Sequence, residues 1–115
     1  MGDPILVAHV GDIEDEEAIV VGADKTGLAD IAVFFSGGEY FALNDECTHE
    51  VASLADGYID GDVVECPLHS AKFSLRTGDV LMLPATAPLC THKVEVRGDE
   101  IWLYPGVPVA GAVLS

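Results

Sequence analysis

Apolar residues in this chain come in short runs with the spacing of strands. ILVAH, AIVVG, IAVFF, YFALN, VVE, KVEVR and IWLY concentrate β-branched and aromatic residues, and Gly and Asp clusters stand close between them. Strands are expected at Ile5–His9, Ala18–Gly22, Ile31–Phe35, Tyr40–Asn44, Tyr58–Ile59, Val63–Glu65, Ala71–Ser74, Lys93–Arg97 and Ile101–Tyr104. SGGE at 36–39 and GDE at 98–100 read as tight hairpin turns, because Gly tolerates positive φ and Asp is a good turn former. GDIEDEEA at 11–18 is a loop or a single helical turn whose five acids must face water. The last ten residues, GVPVAGAVLS, are small and apolar, and both packing on the body and lying loose stay open for them. No linker, low-complexity tract or repeat interrupts the pattern.

The chain has 115 residues, the size of one domain that buries roughly two thirds of its unfolded surface. Its hydrophobic runs stop far short of the ~20 residues that span a bilayer. The N-terminus, MGDPILVAHVGDIEDEEA, lacks a basic segment and turns acidic at once, so it does not read as a signal peptide. A cytoplasmic location is therefore expected, where thiols stay reduced; three cysteines, an odd number, agree with this. Twenty acidic residues against five basic ones give a formal charge of −15. That charge argues against nucleic acid and anionic membranes as partners, since both need clustered Lys and Arg. Acidity that keeps a small domain soluble and acidity that steers it to a basic partner both fit.

Cys-Thr-His occurs twice, at 47–49 and 90–92, in a chain with only four histidines. Cys47, His49, Cys66 and His69 form Cys-x-His, a sixteen-residue spacer, then Cys-x-x-His. Each pair sits beside turn formers: NDE precedes Cys47 and Pro67 follows Cys66. Two loops approaching one metal centre from opposite sides would have this form. A structural zinc with two Cys and two His is one reading, although zinc pairs usually have at least two residues between their members. Two adjacent irons suit the one-residue gap between Cys47 and His49 better.

CTHEVASLADGYIDGDVVECPLHSAKF resembles the cluster-binding motif of Rieske-type ferredoxins, and ALNDECTH before it and TGDVLMLPATAPL after it extend the likeness. The resemblance implies one [2Fe-2S] cluster, with Cys47 and Cys66 on the inner iron and His49 and His69 on the outer. It leaves the second CTH outside the ligand set: Cys90 becomes a small buried thiol, and His92 and His9 ordinary strand residues. The implied architecture is an all-β sandwich or partly open barrel. Residues 1–45 and 85–115 form its base, and residues 46–84 are an inserted cluster-binding subdomain.

Two thiolates and two neutral imidazoles leave the oxidised cluster near zero charge, against about −2 with four thiolates, so it accepts an electron more readily. High-potential relatives add a disulfide and hydroxyl donors; the matching positions here are Ala52 and Leu68, and Ala71 and Phe73, none of which can supply them. Ser70–Ala71 also stands where many such ferredoxins have Gly-Gly. With no nucleotide loop, flavin signature or second metal motif, the resemblance implies an electron carrier rather than an enzyme. Such ferredoxins pass single electrons from an NAD(P)H-dependent flavoprotein reductase to the terminal oxygenase of a bacterial ring-hydroxylating dioxygenase system, used in aromatic hydrocarbon catabolism. Val51, Leu68 and Pro84 are the expected docking rim. An iron–sulfur redox sensor and a non-redox interaction subunit of the same fold are the other readings.

Overall fold

A computed structural model of the chain describes residues 3–46, 53–67, 71–82 and 89–107. Within them lie β1 (Ile5–His9), β2 (Glu17–Val21), β3 (Ile31–Ser36), β4 (Glu39–Asn44), β5 (Tyr58–Asp60), β6 (Val63–Glu65), β7 (Lys72–Ser74), β8 (Val80–Met82), β9 (Thr91–Arg97) and β10 (Glu100–Tyr104). They pair antiparallel in two sheets, β1-β10-β9-β4-β3-β2 and β5-β6-β7-β8. The all-β expectation holds.

Turn chemistry sets the registers. Ser36 pairs with Glu39 across Gly37 and Gly38, whose φ values of 61° and 83° are those of a type I′ turn. Arg97 pairs with Glu100 across Gly98, at φ 63°. The six-stranded sheet curls without closing: β1 and β2 are its edges, facing each other across a gap lined by Ile5, Val7, Ile19 and Val21.

IAVFF in β3 is a continuous apolar run because both of its faces are buried. Ile31 and Val33 point into the hollow of the curled sheet with Ala42, Ile101 and Leu103. Ala32 and Phe34 point the other way, with Phe41 and Leu43, onto Val64, Phe73 and Leu75 of the smaller sheet's side. This second core holds the two sheets together, and Cys66 is part of it. At its margin Arg76 makes a bidentate pair with Glu39 of β4, at 3.1 and 2.5 Å, and reaches Asp62 of the β5–β6 turn at 3.0 Å.

Four features differ from the sequence reading beyond one-residue shifts at strand ends, the 3-10 turn Leu54–Asp56 among them. A four-residue helix, Ala23–Thr26, follows β2 and ends on Gly27 at φ 75°. Val80–Met82 forms a tenth strand, pairing with β7 through an irregular register. β9 starts two residues early, at Thr91. The acidic stretch 11–16 is turn and loop, and its four acids at 12 and 14–16 are exposed, as is Glu17 at the start of β2.

Candidate metal centre

Two loop stems at the junction of the sheets flank the segments in which the sequence places its candidate ligands. The first begins where β4 ends. Asp45 is buried, 6% exposed, and its backbone N–H, its carbonyl and its Oδ1 are all engaged. Its N–H donates to Asp30 O at 2.9 Å, and its carbonyl accepts Leu54 N–H at 2.8 Å. Its Oδ1 accepts both Ser53 Oγ–H at 2.9 Å and Ala55 N–H at 3.0 Å. Glu46 and Ser53 form a bridge one step further out, so the chain that leaves at 46 returns at 53 in fixed register. Cys47 and His49, with Val51 and Ala52, lie outside the described residues.

The second stem is the β6–β7 hairpin. Glu65 pairs with Lys72, and one step on Cys66 N–H donates to Ala71 O at 2.7 Å. The hairpin is thereby closed at Cys66 and Ala71, on either side of residues 67–70. Cys66 is 1% exposed among Leu54, Val64, Ala71, Phe73 and Leu89. Leu68, His69 and Ser70 lie outside the described residues. A third stem closes where Leu89 N–H donates to Gly78 O at 2.8 Å, bracketing residues 83–88; Pro84, among these, is also outside them.

The second CTH leads into β9. His92 is 4% exposed on β9, hydrogen-bonded to Asn44 and to the Gly106 amide, and burial holds its pKa below the ordinary histidine value. His9 is exposed on β1 beside Asp12. The expected buried thiol at Cys90 is corrected: Cys90 is exposed. It precedes β9 and contributes its carbonyl to the ladder, accepting Asn44 N–H at 3.1 Å.

The profile of the Rieske [2Fe-2S] domain matches residues 3–105. The chain belongs to that family. Escherichia coli (strain K12) has a relative, the 3-phenylpropionate/cinnamic acid dioxygenase ferredoxin subunit, 44% identical over 100 residues and covering 86% of this chain and 91% of that one. Among solved structures, a chain of the complex of reduced oxygenase and oxidized ferredoxin in carbazole 1,9a-dioxygenase superposes with TM-score 0.83 at 35% identity, covering 91% of this chain and 94% of that one. The ferredoxin of Sphingomonas yanoikuyae B1 gives TM-score 0.81 at 30% identity over 89% and 98% of the two chains. This protein is a Rieske-type ferredoxin, an electron-transfer component with one [2Fe-2S] cluster per chain.

The described residues fit such a cluster. A Rieske centre takes thiolates and imidazoles from two separate loops. Here both stems are closed by hydrogen bonds, and the one described candidate ligand, Cys66, sits in apolar surroundings at the base of the second. Sequence reasoning missed the residues that hold the stems. Asp45 was legible only as a turn former in NDE; Ser53, Gly57 and Gly78 carried no signal before the pairing of their segments was known.

Proposed function

We propose that this ferredoxin takes single electrons from an NAD(P)H-dependent flavoprotein reductase and delivers them to the terminal oxygenase of an aromatic-ring-hydroxylating dioxygenase system. Cys47 and Cys66 would hold one iron, and His49 and His69 the other. The observation that carries the ligand assignment is the pair of closed stems, since it brackets Cys47 and His49 in one loop and Cys66 and His69 in the next. The cluster supplies a site for one electron. The protein's own part is to hold the ligands on two braced loops and to bury Cys66 away from water. Residues 46–84 act as the cluster-holding unit, and 1–45 with 85–115 as its base.

The partner assignment is supported by the dioxygenase ferredoxin subunit of Escherichia coli, at 44% identity, and by the ferredoxin-containing carbazole dioxygenase complex. The redox sensor and the non-redox subunit have no comparable support. No helix of the described residues is long and apolar enough to cross a membrane. With a formal charge of −15, docking is expected on basic partner surfaces and to weaken as salt rises. Transient electron-transfer contacts of this kind bury under ~1,200 Å².

Two measurements test the reading. The dithionite-reduced protein should give a rhombic [2Fe-2S] EPR signal, with about two irons and two sulfides per chain. Colourless protein holding zinc would overturn the ligand assignment. Mixed with a flavoprotein ferredoxin reductase, NADH and a ring-hydroxylating oxygenase, it should support product formation that stops when it is left out. Failure to accept electrons from any such reductase, with the cluster intact, would overturn the carrier role.

A further inference from the structure

The return leg of the first loop is a 3-10 turn, Leu54–Asp56, wedged between the two stems. At one end Asp45 grips it: carbonyl to Leu54 N–H, and Oδ1 to Ser53 Oγ–H and Ala55 N–H. At the other end it terminates on Gly57, whose N–H donates to Leu54 O at 2.9 Å. Gly57 rests against the backbone of β6. A Cβ built there would stand 2.2 Å from Glu65 O and 3.1 Å from Leu54 O. Glu65 is the residue before Cys66. Leu54 itself is fully buried in the same core as Cys66. A continuous path of backbone contacts thus runs from Asp45, two residues before Cys47, to Glu65, one residue before Cys66.

We propose that Asp45 and Gly57 are positioning residues that make this 3-10 turn a gauge block, fixing the separation of the segment bearing Cys47 and His49 from the strand that leads into Cys66. The proposal rests on the ligand assignment above. Gly57 has φ −79° and ψ −173°, a backbone that any residue adopts, so its requirement is one of space. The atom that a methyl group would strike is a strand carbonyl, which cannot swing aside as a flexible side chain can. At the Asp45 end both side-chain hydrogen bonds arrive at a single oxygen. An amide oxygen can accept both of them, whereas a methyl group accepts neither.

Asp45→Asn, Asp45→Ala and Gly57→Ala, prepared as cluster-loaded protein, separate the possibilities. Three readouts apply: g values of the reduced EPR spectrum, rate of iron loss to a chelator, and thermal midpoint. Gly57→Ala is expected to shift the g values and to speed iron loss by about 10- to 100-fold, the usual scale for residues that orient metal ligands. Asp45→Ala should do the same, and Asp45→Asn should restore wild-type g values and rate. Wild-type spectra and rates in Gly57→Ala would overturn the gauge. So would iron loss from Asp45→Asn as fast as from Asp45→Ala, since charge and not the two hydrogen bonds would then be at work. If Asp45→Ala does not fold, Gly57→Ala and Asp45→Asn still decide. A wild-type protein with no [2Fe-2S] signal defeats the ligand assignment itself, and is told apart from a failure of the gauge by that control.

Discussion

His92 and Asn44 are joined across β9 and β4, Nε2 to Oδ1 at 2.7 Å, and the Gly106 amide fixes which way the proton lies. Gly106 N–H donates to Nδ1 at 2.9 Å, so Nδ1 is an acceptor and the ring carries its hydrogen on Nε2, donating to Asn44. The neutral tautomer satisfies both neighbours; a second proton on Nδ1 would oppose the Gly106 amide. Burial lowers the His92 pKa in the same direction. The sign follows from linkage: below the unfolded value of about 6.5 the unfolded chain binds a proton that the folded chain refuses. His92 should therefore contribute full stability above that pH and lose it as pH falls toward the depressed folded value. Urea unfolding of wild type and His92→Gln from about pH 8 to pH 5 checks this. The difference in stability should be constant at the alkaline end and shrink on acidification; a constant difference throughout would refute it.

Cys90 is exposed and Cys66 buried, so the two thiols should differ in chemistry. Access governs alkylation. Iodoacetamide on the native, cluster-loaded protein should modify Cys90 and spare Cys66, as read by peptide mass mapping. Cys90→Ala should keep full iron and sulfide, and Cys66→Ala should lose both. Iron loss from Cys90→Ala would return the second CTH to the ligand set.

Gly78 is held at φ 77°, and a Cβ on it would stand 2.1 Å from Leu89 O. Left-handed backbone costs a side chain about 1 kcal/mol, and the backbone clash adds to that. Gly78→Ala should destabilise the protein by roughly 2–3 kcal/mol in urea unfolding, by prising Leu89 from the turn it closes. An Ala variant within about 0.5 kcal/mol of wild type would show that this stem yields freely.

Much of this fold could be read from residue order, because its strongest signals are local. Gly37-Gly38 and Gly98 dictated their hairpins through positive φ, and β1 and β6 lie where short runs rich in β-branched and apolar residues put them. Val80–Met82 was hidden for a physical reason. It is three residues long, shows no alternation, and pairs with β7 through a register shift that only the partner strand defines. Ala23–Thr26 has no side-chain cap to announce it. The extra two residues of β9 come from pairing with Ala42 and Leu43, a contact some fifty positions away in the chain, and they carry His92 into the core. The ligand spacing was legible because metal chemistry restricts residue type. The braces were not, because Asp45, Ser53 and Gly57 are ordinary turn residues until their partners are known.

Arg76 links the sheets from the surface. Its guanidinium lies 5.2 Å over the Phe41 ring while pairing with Glu39 and Asp62. The hydrogen bond from Arg76 holds the Glu39 carboxyl below the usual carboxylate range. Stability from this pair is present above the unfolded carboxylate pKa and is lost as pH falls through the depressed folded one. Because the groups are exposed, salt should weaken the link. Arg76→Met should lower the thermal midpoint at low ionic strength, and the deficit should narrow in high salt. A deficit independent of salt would assign the effect to packing on Phe41.

Ala71 and Phe73 are both fully buried beside Cys66 in the core, and neither brings a hydroxyl. Hydrogen bonds to cluster sulfur stabilise the reduced, more negative state, so lacking these two hydroxyl donors is expected to keep the midpoint low. The wild-type midpoint should fall near the low end of the roughly −150 to +300 mV Rieske span. Ala71→Ser adds one donor at little cost in volume. Its hydroxyl, donating to sulfur, should raise the midpoint by about 40 mV, the one-electron equivalent of about 1 kcal/mol. Histidine ligation adds a second signature: the oxidised metal favours loss of the imidazole proton, so the midpoint should decline with rising pH on the alkaline side. Spectroelectrochemical titration from about pH 6 to pH 10 reads both effects. A wild-type midpoint well above zero would refute the hydroxyl inference. A midpoint flat to about pH 10 would count against His49 and His69 as ligands, because four thiolates bring no such proton.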